Sequence, residues 1–116
     1  MKEKESDMKG SVTLQTPSKK PPKLEKDIQR EIVKYLNLLK FCSVDVMTVG
    51  RFMRPGISDI TGVYQGEYLA IEVKRPGQKM TELQKKWQEE KSACGAIVGV
   101  ATCIDDVKKI LLDNDV

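Results

Sequence analysis

The chain of 116 residues is 40% hydrophobic and 32% charged, with 20 Lys and Arg against 17 Asp and Glu; this describes one soluble globular domain with no room for a second core. No apolar run approaches the roughly 18 residues of a membrane span and nothing resembles a secretory signal, so a cytoplasmic protein without a membrane partner is expected. Histidine is absent, which excludes His-containing triads, His-ligated zinc hydrolases and His-dependent ribonuclease chemistry, and leaves any hydrolysis to carboxylates, lysine and a metal.

Residues 1–22 are polar, rich in Lys, Ser and Glu, and end in Lys19-Lys20-Pro21-Pro22. Without apolar periodicity they read as a flexible arm, either solvated or touching phosphates through Lys19, Lys20 and Lys23, ahead of a folded domain over 23–116. From 24 to about 41, Ile28, Ile32, Tyr35, Leu36 and Leu39 recur at helical spacing, with Lys26, Gln29, Arg30 and Lys34 opposite, which predicts a helix. Glu25 in its first turn suits the helix dipole. Residues 43–50 alternate as a strand, Val44 and Val46 against Asp45 and Met47.

The stretch 51–58 is a basic loop with one aromatic. Its Arg51 and Arg54 either grip phosphates with their guanidinium forks or simply solvate the loop. Residues 59–64 and 67–73 are predicted strands joined by a Gln65-Gly66 hairpin turn. After Pro76-Gly77, Thr81 starts a helix to about residue 93, with Leu83, Trp87 and Lys91 as one stripe and Trp87 in the core. Thr81 with Gln84 fits a capping box, a structural alternative to any role for Gln84 in a site. Residues 96–101 read as a short buried strand, and Thr102 as the cap of a last helix through Leu112, with Val107, Ile110 and Leu111 inward. Cys42, Cys94 and Cys103 are odd in number and widely spaced, the pattern of reduced, mostly buried thiols rather than disulfides or zinc ligands. The order helix, three strands, helix, strand, helix predicts an α/β fold with a mixed central sheet flanked by helices.

One constellation carries chemistry. In the strand Tyr68-Leu69-Ala70-Ile71-Glu72-Val73-Lys74, side chains alternate between faces, so Glu72 and Lys74 share one face while Leu69, Ile71 and Val73 line the other. Asp59, opening the preceding strand after a Pro55-Gly56 turn, can lie beside them. Two carboxylates about 4 Å apart repel by roughly 4 kcal/mol at an effective dielectric near 20, a cost that Lys74 offsets in part and a divalent cation in full. Carboxylate and carbonyl donors suit Mg²⁺ or Mn²⁺, with the Val73 carbonyl as a third protein ligand. The structural alternatives are a turn-capping role for Asp59 and an exposed ion pair for Glu72 and Lys74, worth a fraction of a kcal/mol.

With that order of elements, the segments Glu25-Lys26-Asp27-Ile28-Gln29, Gly56-Ile57-Ser58-Asp59-Ile60, Ile71-Glu72-Val73-Lys74 and Thr81-Glu82-Leu83-Gln84 make the chain resemble a PD-(D/E)XK nuclease. More closely, it resembles the small stand-alone VRR-NUC domains of the kind phages encode. The resemblance implies a restriction-endonuclease-like αβββαβ core, with metal held by Asp59 and Glu72 and a water oriented or activated by Lys74. It further implies that Glu25 completes the cluster, with Asp27 and Glu31 as alternatives, and that Gln84 points at the site. By the same resemblance, the expected protein is a homodimer in a bacterial or phage-infected cytoplasm that cuts branched DNA such as four-way (Holliday) junctions. Arg51, Arg54, Lys74 and Arg75 would lie on the nucleic acid. A general endonuclease or exonuclease, and a catalytically silent DNA-binding module of the same fold, are the competing expectations. Where the family usually has Pro before its Asp, this chain has Ser58, which supplies no ligand either way but leaves the turn geometry open.

Overall fold

Hydrophobic periodicity and turn chemistry assemble seven elements in the computed structural model, which describes residues 23–48, 50 and 53–113. The arm expected over 1–22 and the loop residue Arg51 lie outside the described residues. The elements are α1 (Glu25–Leu36), β1 (Cys42–Val46), β2 (Ile60–Tyr64), β3 (Glu67–Val73), α2 (Glu82–Ala93), β4 (Ile97–Ala101) and α3 (Ile104–Asp113). The strands form one sheet in the order β1-β2-β3-β4, antiparallel except for the parallel β3–β4 pair that α2 connects. This is the mixed sheet flanked by helices that the sequence predicts.

Register explains which residues are buried. Ile60 pairs with Ile71, which pairs with Gly99, and Leu69 pairs with Ile97, so one sheet face is an unbroken apolar surface. Ile28, Ile32 and Leu36 of α1 and Val107 and Leu111 of α3 pack on it, all at most 5% exposed. Each such side chain contributes about 1.5–3 kcal/mol, which fixes both helices to the sheet. The other face of β3 buries Ala70 and Glu72. Gln65 and Gly66 both take positive φ, the geometry of a two-residue hairpin turn, so the β2–β3 register cannot slip.

Several boundaries and exposures differ from expectation. Helix α1 ends at Leu36 rather than near residue 41, because the Asn37 side chain accepts from Val44 N (2.9 Å) and donates to Val44 O (3.2 Å), turning the chain into β1. Strand β1 stops at Val46, and Val46 is exposed although Val44 is buried. Of the predicted α2 stripe only Trp87 is buried; Leu83 is exposed, and the Lys91 ammonium sits 5.2 Å from the Trp87 ring centre. Thr102 does not cap α3. It precedes the helix by two residues and donates from its N–H and hydroxyl to Asp106 Oδ2 (2.9 and 2.7 Å), which holds the Asp106 carboxyl below the usual range. The cysteines are reduced, but Cys94 and Cys103 are exposed and only Cys42 is partly buried, where burial pushes its thiol up.

The loop before β2 is held against α2 at Gly56. Its φ is 92°, and a Cβ there would collide with the Leu83 carbonyl in the first turn of α2. We expect Gly56→Ala to lower unfolding free energy by about 1–3 kcal/mol, the cost of a strained left-handed residue. Urea unfolding with an unchanged m-value checks it.

Candidate active site

Strand alternation and the hairpin bring Asp59, Glu72 and Lys74 together, as the sequence pattern suggests. Asp59 precedes β2 and is clamped from two directions: its carbonyl accepts from Met47 N (2.7 Å), and its Oδ2 accepts from Val73 N (2.9 Å). Glu72, one residue before Val73, lies on the face shared with Lys74, whose Nζ is 3.6 Å from Glu72 Oε2. Lys74 is itself anchored through its N–H to the Ala101 carbonyl (3.0 Å). The Asp59–Val73 hydrogen bond places the first carboxylate over the peptide unit that joins Glu72 to Val73, and the second carboxylate sits beside it.

This is not a surface ion pair. Glu72 is 2% exposed and Lys74 is 13% exposed. Glu72 Oε1 is buried with no hydrogen-bond partner, a state that ordinarily costs a carboxylate several kcal/mol. Its carboxyl is pushed up to about 8, first by burial and then by the charge and hydrogen bonding of Asp59; Lys74 opposes both. An acidic group with an orphaned oxygen beside a second carboxylate fits a divalent cation. Asp59 and Glu72 with the Val73 main-chain carbonyl form the hard oxygen donor set that Mg²⁺ or Mn²⁺ takes, and Mg²⁺ commonly needs only one or two protein carboxylates.

The other candidates divide. Among the described residues no group of three His, Cys, Asp or Glu side chains is placed to hold a metal ion, so Glu25, half-buried in the first turn of α1, does not close a three-carboxylate cluster with Asp59 and Glu72. Its two alternatives are engaged elsewhere on the helix surface, Asp27 with Arg30 (3.1 Å) and Glu31 with Lys23 (2.7 Å). Gln84 has the structural role its spacing from Thr81 predicts. It completes the capping box, its Oε1 accepting from Thr81 N (2.9 Å) while its own N–H donates to Thr81 Oγ1 (3.2 Å). It also lines, with Asp59 and Arg54, a cavity of about 130 Å³. Arg54 is tied to Glu90 of α2 (2.6 Å), and this bond holds the Glu90 carboxyl below the usual range. Arg75 is partly exposed at the end of β3, its N–H donating to Gln78 Oε1 (3.0 Å).

The cavity of about 130 Å³ adjoins the site on the Asp59 side, lined by Met47, Met53, Pro55 and Ile57 beside Asp59, Arg54 and Gln84, and is smaller than the roughly 300–1,000 Å³ of organic-ligand pockets. A larger groove, about 590 Å³, lies at the far end of β3 around Gly66, Tyr68 and Cys94, away from the paired carboxylates.

Comparison with known proteins identifies the family. A model of the VRR-NUC domain family matches residues 6–104. The chain belongs to the VRR-NUC domain family. The match takes in residues ahead of α1 as well as the helix, the hairpin, α2 and β4. Two solved structures share the fold. One, a VRR_NUC domain protein, is 20% identical with a TM-score of 0.65 over 79% of this chain and 88% of its own. The other, a VRR_NUC domain, is 22% identical with a TM-score of 0.61 over 76% of this chain and 94% of its own. No curated protein matches. The fold is therefore of the nuclease type, and among the described residues no helix is long and apolar enough to cross a membrane.

Two features of this VRR-NUC site carry no mark in the local sequence. Ser58 is 1% exposed and accepts from Gln88 Nε2 (3.0 Å), and Gln88 is 5% exposed. A glutamine in a row of charged helix residues gives no sign of burial; only the i, i+4 spacing from Gln84 hints that both share a face.

The raised Glu72 carboxyl sets a pH dependence for the metal-free protein. Unfolded, the group titrates near 4.5; folded, near 8. Between these values the folded chain keeps a proton that the unfolded chain has released, so stability falls as pH rises through this window. The loss is on the order of 3 kcal/mol from pH 5 to pH 8. Glu90 and Asp106 are lowered and already ionised there, and Cys42 is raised beyond it. We expect Glu72→Gln to flatten the slope, measured as chemical-denaturation free energy against pH in chelator.

Proposed function

We propose that the protein is a divalent-metal-dependent DNA endonuclease, acting as a homodimer on branched DNA such as four-way junctions. The observation that carries it is the buried, unpartnered Glu72 carboxylate oxygen beside Asp59, with Lys74 as the only ammonium paired to it among the described residues. Asp59, Glu72 and the Val73 carbonyl would hold Mg²⁺ or Mn²⁺. When bound, such an ion supplies Lewis-acid stabilisation of the charge that builds on a phosphodiester under attack.

The chain's own residues account for the rest. Lys74 projects from the same strand face as Glu72 and brings a positive charge and donors to an attacking water or a phosphate oxygen. Water adds to phosphorus, one ester P–O bond breaks, and a phosphate monoester and a hydroxyl end result. The Gln84 oxygen is committed to the helix cap, which leaves its amide nitrogen as the group that faces substrate in the cavity. Arg75, partly exposed after Lys74, is placed to meet the flanking phosphate. Arg54 reaches DNA only by giving up Glu90. One site per small chain suits two copies, each cutting one strand.

A cleavage panel of single-strand, duplex, flap and four-way DNA with Mg²⁺ or Mn²⁺ tests this. Metal-stimulated cutting that favours the branched substrates is expected, and EDTA is expected to abolish it. Asp59→Ala and Lys74→Ala should each reduce the rate about 100-fold or more. Undiminished cutting by either variant ends the proposal, and DNA binding without any metal-stimulated cutting supports the silent DNA-binding module instead. Analytical ultracentrifugation at micromolar concentration should give a dimer; monomer alone removes the paired-site arrangement.

Metal binding should also compete with the Glu72 proton. Mn²⁺ is therefore expected to raise the melting temperature more at pH 8 than at pH 6. An equal shift at both values would dissociate the ion from Glu72.

A further inference from the structure

We infer that Gln88 is a positioning residue for Asp59, acting through Ser58. One nitrogen, Gln88 Nε2, donates to Ser58 Oγ (3.0 Å) and to the Gly99 carbonyl (2.8 Å). Ser58 leads into β2 and Gly99 lies on β4, with β3 between them in the sheet. Two strand spacings, about 9.6 Å, separate β2 from β4, so a single nitrogen can hold both partners only because the chain at Ser58 has turned toward β4. The amide therefore fixes the entry into β2 from the α2 side, while Met47 N and Val73 N fix Asp59 from the β1 and β3 sides.

Both side chains of the device are buried, while Gly99 is partly exposed. Ser58 is 1% and Gln88 5% exposed, so water does not replace the bond when it is lost. Both amide hydrogens of Gln88 are used, and the two strands that flank the Glu72 strand are thereby tied to one helix. Among the described residues, the bond at its neighbour is the clamp on the α2 side of Asp59. Gln84, one turn earlier on the same helix face, lines the cavity, so α2 serves the site twice: Gln84 at its wall and Gln88 behind it.

This inference rests on the metal site proposed above, and the experiment separates the two. Mn²⁺ affinity by calorimetry and single-turnover cleavage are measured for the wild type, Gln88→Leu, Ser58→Ala and the double variant. For folded Gln88→Leu we expect Mn²⁺ affinity to fall about 10-fold or more, the usual scale for a residue behind a ligand. The cleavage rate should fall with it and recover at high Mn²⁺, while KM for DNA stays unchanged because Gln88 meets no substrate. Ser58→Ala should act in the same direction and more weakly, and should add nothing in the Gln88→Leu background. Unchanged Mn²⁺ affinity in either folded variant overturns the positioning role. If Gln88→Leu does not fold, Ser58→Ala, which trims a single oxygen, decides. A wild type that binds Mn²⁺ but cuts no DNA removes the nuclease proposal alone, and the affinity comparison still decides the role of Gln88. A wild type that does neither removes both.

Discussion

A buried carboxyl group with one oxygen left without a partner is the constraint around which this fold is organised. Glu72 sits at 2% exposure on the third strand of the sheet, next to a second acid. Ionising Glu72 there would set a second negative charge beside Asp59 with little water to relieve it, which is why its carboxyl holds its proton to about 8. Lys74 offsets part of this from 3.6 Å. These side chains are thus an unfavourable arrangement kept in place by the surrounding structure, as strained or unsatisfied groups in functional sites commonly are.

What keeps it in place is the backbone rather than the side chains. Asp59 is held by two main-chain N–H groups, from Met47 just past β1 and from Val73 of β3, and Lys74 is held by β4 through Ala101. Helices α1 and α3 contribute through the apolar face of the sheet, where Ile32, Leu36 and Val107 are fully enclosed. The polar face of β3 therefore has a rigid platform behind it. A site on strands backed by packed helices holds its geometry better than one on loops.

The parts of this site that were legible in the sequence are those set by short-range rules. Strand alternation put Glu72 and Lys74 on one face, the Gln65-Gly66 pair fixed the hairpin, and the Thr81 and Gln84 spacing announced the helix start. The order of elements followed from periodicity and turn signals. The parts that were not legible depend on residues far apart in the chain. Ser58 meets Gln88 across 30 positions and Arg54 meets Glu90 across 36. Nothing local distinguishes a glutamine that will be buried from one that will face water, nor an arginine that will pair with a neighbouring helix from one left open. The exposure of Cys94 and Cys103 differs from expectation for the same reason. Their apolar character is plain, but whether another element covers them is decided by packing.

The double use of Gln84 links helix mechanics to the cavity. Its backbone N–H and its side-chain oxygen close the first turn of α2 by bonds of 3.2 and 2.9 Å to Thr81, and the next residue's N–H, on Lys85, returns to the Thr81 carbonyl at 3.0 Å. The cap cannot fray without also withdrawing one wall from the space beside Asp59. Amide exchange at Gln84 and Lys85 consequently reports how often that space loses its shape, on a timescale that a static view of the helix does not reveal.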